Sequence, residues 1–193
     1  MGSDQVIALA RERFVARERV EVGEIAAAAG VNRSTVYRRF HGRDGLLVEV
    51  IWSLAEVTID AAIRRARGVG PERITSMMWE FALLANRAEH IRDFLNREPE
   101  RALRLLTTRS SGVQPRIVNR LIGILDEEVS AGRLVPPVPT PDLALILVRI
   151  TETFVYGNVA GGDEPDAEKV RQACGALLGA VRHPDSSAVV VGV

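Results

Sequence analysis

The sequence predicts an all-α protein, and three observations carry that prediction. Apolar residues recur at helical spacing along nearly the whole chain. Period-two alternation of useful length occurs only around Ala188-Val189-Val190-Val191, too short and too close to Gly to build a sheet. Gly and Pro punctuate the chain at Gly30, Gly42, Gly68 to Pro71, Pro99, Gly112 to Pro115, Pro136 to Pro141 and Gly161 to Pro165.

Between these breaks, helices are expected near 4–17, 22–29 and 33–40, followed by a longer one near 43–67. Further segments fall near 71–87, 90–96, 99–107, 114–131, 141–157 and 166–181. Pro71, Pro99, Pro115 and Pro141 each suit the first turn of a helix, where a missing amide hydrogen costs nothing. The expected organisation is a small helical unit over 1–48, a larger one over 49–182, and a frayed tail of small and polar residues over 183–193.

Composition narrows the function. The 193 residues hold 25 basic and 25 acidic side chains, so the chain is not uniformly basic, and the distribution of charge becomes the informative quantity. From Val31 to Arg43 there are four arginines, Arg33, Arg38, Arg39 and Arg43, and no acid. No apolar run approaches the ~20 residues needed to cross a bilayer. Arg11, Glu12 and Arg13 interrupt the place where a secretory signal would have its apolar core, so a cytoplasmic location and no membrane partner are expected. Cys174 stands alone, which excludes an internal disulfide and a cysteine zinc cage; it reads as a small buried apolar residue.

The stretch from Glu21 to Phe40 reads as helix, tight turn, helix. Gly30 sits where the first helix must end left-handed, and Asn32 is a good N-cap for the second. Ile25 and Ala29 are four apart, as are Val36 and Phe40, so each helix offers an apolar stripe and Val31 can plug the angle between them. With Val36 and Phe40 inward, a turn of about 100° per residue puts Ser34, Thr35 and Arg38 outward, with Arg33 and Tyr37 beside them. Arginine can grip a guanine edge with two hydrogen bonds, and hydroxyls suit phosphate oxygens. The plainer reading, arginines that merely solvate a hairpin, leaves unexplained why turn, stripe and acid-free face coincide.

Residues 5–52 resemble the DNA-binding domain of the TetR/AcrR family of bacterial regulators. The resemblance rests on Ile25-Ala26-Ala27-Ala28-Ala29-Gly30-Val31, Thr35-Val36-Tyr37-Arg38-Arg39-Phe40 and Arg43-Asp44-Gly45-Leu46-Leu47, with Ala10 and Phe14 on a preceding helix. It implies that Arg33, Ser34 and Arg38 approach base edges, and that Thr35, Tyr37, Arg39 and Arg43 hold phosphates, Arg43 at a helix start where the dipole also favours an anion. Arg39 stands where the family often has His. Glu21, Val22 and Gly23 replace the hydroxyl and basic residues many members place against DNA, and Glu21 is expected to cap its own helix instead.

The resemblance further implies that the later helices bind a ligand and dimerise. The segments Ile74, Met77, Met78, Trp79, Phe81 to Leu84 and Leu143 to Val148 with Ile150, Phe154 and Val155 are apolar on more than one face and should be central. Arg149 and Glu152, three apart in the second of these, can pair with each other, make a contact across a dimer interface, or orient a ligand. With Trp79, Phe94, Phe154 and Tyr156 they are the candidate pocket residues, core packing being the plainer role for each aromatic. The last two long helices resemble the pair that meets its twofold mate, with Ala144, Ala173, Gly175, Ala176, Gly179 and Ala180 permitting close packing. Segments 100–109, 127–134 and 148–156 resemble the C-terminal domain of the QsdR-like branch, which implies a lactone-like or apolar effector.

An enzyme is disfavoured. His41, His90 and His183 share no metal-ligand spacing and no nucleophile motif, and His90, between Glu89 and Asp93, is expected at the surface. Gly68-Val69-Gly70 lacks the third Gly and the strand of a dinucleotide fold. The expectation is therefore a homodimeric, cofactor-free regulator, a repressor released from palindromic double-stranded operator DNA by a small molecule. The competing class is a helical interaction module without DNA binding.

Overall fold

The computed structural model describes residues 2–157, 162 and 164–180; the expected tail at 183–193 lies outside them. Among the described residues ten α-helices follow one another: α1 (Gly2–Val15), α2 (Val22–Ala28), α3 (Arg33–Phe40), α4 (Arg43–Arg65), α5 (Pro71–Arg87), α6 (Glu89–Arg97), α7 (Pro99–Thr107), α8 (Val113–Ser130), α9 (Thr140–Val155) and α10 (Ala167–Leu178). A single 3₁₀ turn, Arg109–Ser111, separates α7 from α8, and there is no strand among the described residues. The Gly and Pro breaks did the cutting: Pro71 and Pro99 open α5 and α7, and Pro141 lies in the first turn of α9.

Two apolar cores hold the helices. The first gathers Val6, Ala10 and Phe14 of α1, Ile25 and Ala26 of α2, Val36 and Phe40 of α3, and Leu46, Leu47, Val50 and Ile51 of α4. It does not end at residue 48. Phe94 and Leu95 of α6 and Ala102, Leu105 and Leu106 of α7 complete it, so the helical unit at the N-terminus is seated on α6 and α7. The second core joins the far end of α4 with α5, α8, α9 and α10. Helix α4 spans both cores, and the half-buried side chains of Ile117 and Tyr156 touch both.

The turn between α2 and α3 follows the local chemistry. Gly30 takes φ +66°, and the Val31 amide closes back on the Ala26 carbonyl at 3.0 Å. Asn32 Oδ1 then accepts from the Ser34 amide at 2.9 Å, capping α3. Val31 is partly buried against the first core, in the angle between the helices. Replacing Asn32 with Ala should cost about 1 kcal/mol of stability, read as a lower urea midpoint, because an orphan amide at the head of α3 loses its acceptor. A second glycine is sterically demanded: a Cβ on Gly45 would lie 1.8 Å from the Phe40 carbonyl oxygen, so α4 can leave α3 this tightly only without one.

Three expectations need correction. Glu21 occupies the N-cap position of α2, but its side chain caps nothing and pairs instead with Arg19 at 2.5 Å. His90 is half-buried, its ring edge-on to Phe14 with centroids 5.7 Å apart, and burial followed by the charge of Arg11 lowers its pKa. Ala144 and Gly175 are buried within the chain, so of the small residues only Ala173, Ala176, Gly179 and Ala180 keep surface on α10 and its end. Cys174 is fully buried, and that burial pushes its thiol up to about 12.

Candidate nucleic-acid interface and effector cavity

On α3, only Val36 and Phe40 are buried; Arg33, Ser34, Thr35, Tyr37, Arg38 and Arg39 are all exposed. Arg33, Arg38 and Arg39 make no ion pair among the described residues. The Arg33 guanidinium lies 5.4 Å from the centre of the Tyr37 ring, a cation–π contact that holds both side chains on one side of the helix. The Ser34 hydroxyl donates to Asn32 Oδ1 at 2.9 Å, which leaves its oxygen lone pairs free. A short helix thus presents three unneutralised guanidiniums and three hydroxyls, the groups that recognise base edges and phosphates.

Arg43 has a different position. Its side chain is only 15% exposed, and Nη1 and Nη2 donate to Glu98 Oε2 and Oε1 at 2.7 and 2.6 Å, while Nε donates to the Val20 carbonyl at 2.7 Å. The phosphate contact expected of it is thus replaced by a structural one, because an acid 55 residues away claims both of its terminal nitrogens. Arg43 holds the Glu98 carboxyl at about 2, well below the usual range, with burial opposing and Arg101 assisting. Asp44, its neighbour, pairs with Arg101 at 3.0 Å and Arg104 at 2.6 Å. The first turn of α4 is therefore bound ionically to the head of α7. Glu98→Gln should lower the thermal midpoint by the equivalent of about 1–2 kcal/mol, a partly exposed pair being worth less than a buried one.

Farther along α4, a largely apolar cavity, open to solvent on one side, lies among five helices. Ile59 and Ala62 of α4, Met77, Met78 and Phe81 of α5, Leu106 of α7, Leu121 and Ile124 of α8, and Val148 and Val155 of α9 form its apolar wall. Arg120, half exposed and paired with Asp60 at 3.0 Å, is where the wall meets solvent. The remaining polar lining is Thr151, Glu152 and Tyr156. Thr151 is satisfied within α9, donating to the Leu147 carbonyl at 2.9 Å.

Of the six residues expected in a pocket, Glu152 and Tyr156 line this cavity. The other four do not. Phe94 is buried in the first core, 5.5 Å from Phe14 in an edge-to-face pair. Trp79 and Phe154 pack against the second core outside the lining. Arg149 is exposed, bracing Glu152 at 2.9 Å and the Thr107 carbonyl at 3.0 Å. The wall residues Met77, Met78 and Phe81 stand out in sequence only as part of a segment apolar on more than one face.

A three-helix unit with a basic outward helix, joined by one long helix to a second helical unit that holds an apolar cavity, defines a helix-turn-helix class of protein. Family models make the assignment specific: residues 7–50 match that of bacterial regulatory proteins of the tetR family, and residues 69–179 match that of the tetracyclin repressor-like C-terminal domain. The chain belongs to the TetR family and is a DNA-binding transcriptional regulator, not an enzyme. Among solved structures it resembles the R. erythropolis transcriptional repressor QsdR at TM-score 0.87 and 27% identity, over 94% of this chain and 96% of that one. The fatty acid degradation regulator FadR of Bacillus halodurans shares the fold at TM-score 0.58 and 20% identity, over 93% and 99% of the two chains. A putative transcriptional regulator of Pseudomonas aeruginosa PAO1 does so at 0.54 and 17%, over 92% and 90%. No curated protein sequence matches the chain. No described helix is long and apolar enough to cross a membrane.

Proposed function

We propose that this chain is a homodimeric repressor that grips a palindromic operator through α3 and is released when a small molecule enters the cavity. The observation that carries the reading is the outward face of α3, where Arg33, Arg38 and Arg39 have no acidic partner among the described residues. In this reading Arg33, Ser34 and Arg38 address base edges, and Thr35, Tyr37 and Arg39 address phosphates. Residues 1–48 act as the DNA-binding unit and 49–182 as the effector and dimerisation unit, in the cytoplasm and without a cofactor. Repression is supported by the neighbour from R. erythropolis, which is described as a transcriptional repressor.

Dimerisation through α9 and α10 is supported by Ile146, 38% exposed on α9, and by the small exposed residues of α10. A lone recognition helix buries little surface, and twofold pairing places a second one about 34 Å away or a multiple of that. The route from cavity to DNA is contiguous. A ligand would touch Ile59 and Ala62 on α4 and Leu106 on α7, and α7 in turn holds the first turn of α4 through Glu98, Arg101 and Arg104. A ligand that favours one arrangement of these helices shifts the population of DNA-competent dimers.

A mobility shift on DNA flanking the gene, run at two salt concentrations, tests the reading. Affinity should fall on a log–log slope of roughly 0.9 per phosphate neutralised. A monomer by sedimentation that binds no fragment of its own locus would leave only the helical interaction module.

A further inference from the structure

The cavity's polar corner constrains what can fill it. Glu152, its side chain only 12% exposed, accepts from Gln114 Nε2 at 2.8 and 3.1 Å and from Arg149 Nη1 at 2.9 Å. Gln114 is 1% exposed; its amide nitrogen faces the carboxylate, and its Oε1 is buried with no partner among the described residues. Tyr156, four residues beyond Glu152, adds a hydroxyl that makes no hydrogen bond to any described residue. Glu152 and Tyr156 line the cavity beside Thr151, whose hydroxyl is spent within α9, and the lining cation, Arg120, is half exposed and paired with Asp60; the buried corner therefore offers acceptors rather than free donors, inside walls that are otherwise aliphatic, thioether or aromatic.

Three head-group chemistries can be ranked against that corner. A carboxylate would set a second negative charge beside a desolvated Glu152, where screening is weak. An ammonium would be desolvated against a carboxylate whose charge Arg149 already balances. A neutral N–H or O–H can donate to Glu152, while the Tyr156 hydroxyl donates to an adjacent carbonyl, at no cost in charge. We infer that the effector is an uncharged amphiphile with an apolar body and a head that donates a hydrogen bond, such as a primary or secondary amide or an alcohol. This rests on the reading of the cavity as the effector site. A lactone qualifies only where an amide N–H or hydroxyl stands beside the ring.

The test is a calorimetric titration of the full chain with a matched ten-carbon series: decanamide, methyl decanoate, decanoate and decylammonium. Decanamide should bind at least tenfold more tightly than each of the others. In Glu152→Gln, which removes the charge but keeps an acceptor, decanoate should gain at least tenfold relative to decanamide. Tyr156→Phe, a smaller change, serves if that variant fails to fold, and should weaken decanamide severalfold. Decanoate binding as tightly as decanamide to the wild-type chain, equal binding across the series, or no binding at all would each overturn the inference. The mobility shift on the same preparation separates the two failures: intact DNA binding with the wrong head preference sinks only the effector class, whereas lost DNA binding sinks the regulator reading.

Discussion

Arg38→Ala should lower affinity for the operator by about 10- to 100-fold while changing affinity for unrelated duplex far less. Arg38 lies on the exposed face of α3, opposite the buried pair Val36 and Phe40, and makes no ion pair among the described residues. Its removal therefore leaves folding nearly untouched, and whatever binding is lost reports DNA contact directly. A good bidentate contact to a base edge discriminates by about 1–3 kcal/mol, which sets the range. Arg39→Ala provides the contrast: as a phosphate contact it should weaken all sequences alike and reduce the salt slope by about one phosphate's worth. Titrating both variants against operator and scrambled duplex distinguishes them, and equal losses on both duplexes for Arg38→Ala would remove it from base recognition.

Arg43 belongs outside that comparison, and the reason marks how far local sequence can be read. The α3 face was legible because all its determinants lie within 20 residues: the αL glycine, the Asn cap, the i, i+4 apolar pair and the missing acids. Arg43 shares the same basic run, yet its partner Glu98 is 55 residues away and arrives only when α6 and α7 dock on the first core. Phe94 shows the same limit. Core packing is the plainer role for an aromatic on an amphipathic helix, but only the position of Phe14 decides it against a cavity wall. Glu152 was legible for a general reason, since an acid amid the apolar run of α9 cannot be buried without purpose. The cavity wall was not, because it is assembled from five helices.

The largest effect on stability is expected from a glutamate that the sequence leaves inconspicuous beside Glu127. Glu128 is fully buried near the end of α8. Its Oε2 accepts from Arg133 Nε at 2.8 Å and the Gly70 amide at 3.0 Å, and its Oε1 accepts from Arg133 Nη2 at 3.1 Å and from Arg73. One carboxylate thus ties the start of α5 to the turn after α8, and Arg133, followed by Arg73 and the Gly70 amide, holds it at about 2. Glu128→Ala strands the Gly70 amide and takes the shared acceptor from two guanidiniums that keep about a third or more of their side-chain surface in solvent. The loss should be about 2 kcal/mol, less than for a pair buried on both sides, and a fall in thermal midpoint on the order of 6 °C for a chain of this size. The acid limb gives a second readout. Because folding depresses this carboxyl from an ordinary value of 4.5, its contribution is complete above that pH and is lost as pH falls through about 2. Wild type should therefore lose stability relative to Glu128→Ala across that window, so that the two denaturation curves converge toward pH 2. A variant whose deficit stayed constant from neutral pH to acid would show that packing, and not the charged junction, is what Glu128 supplies.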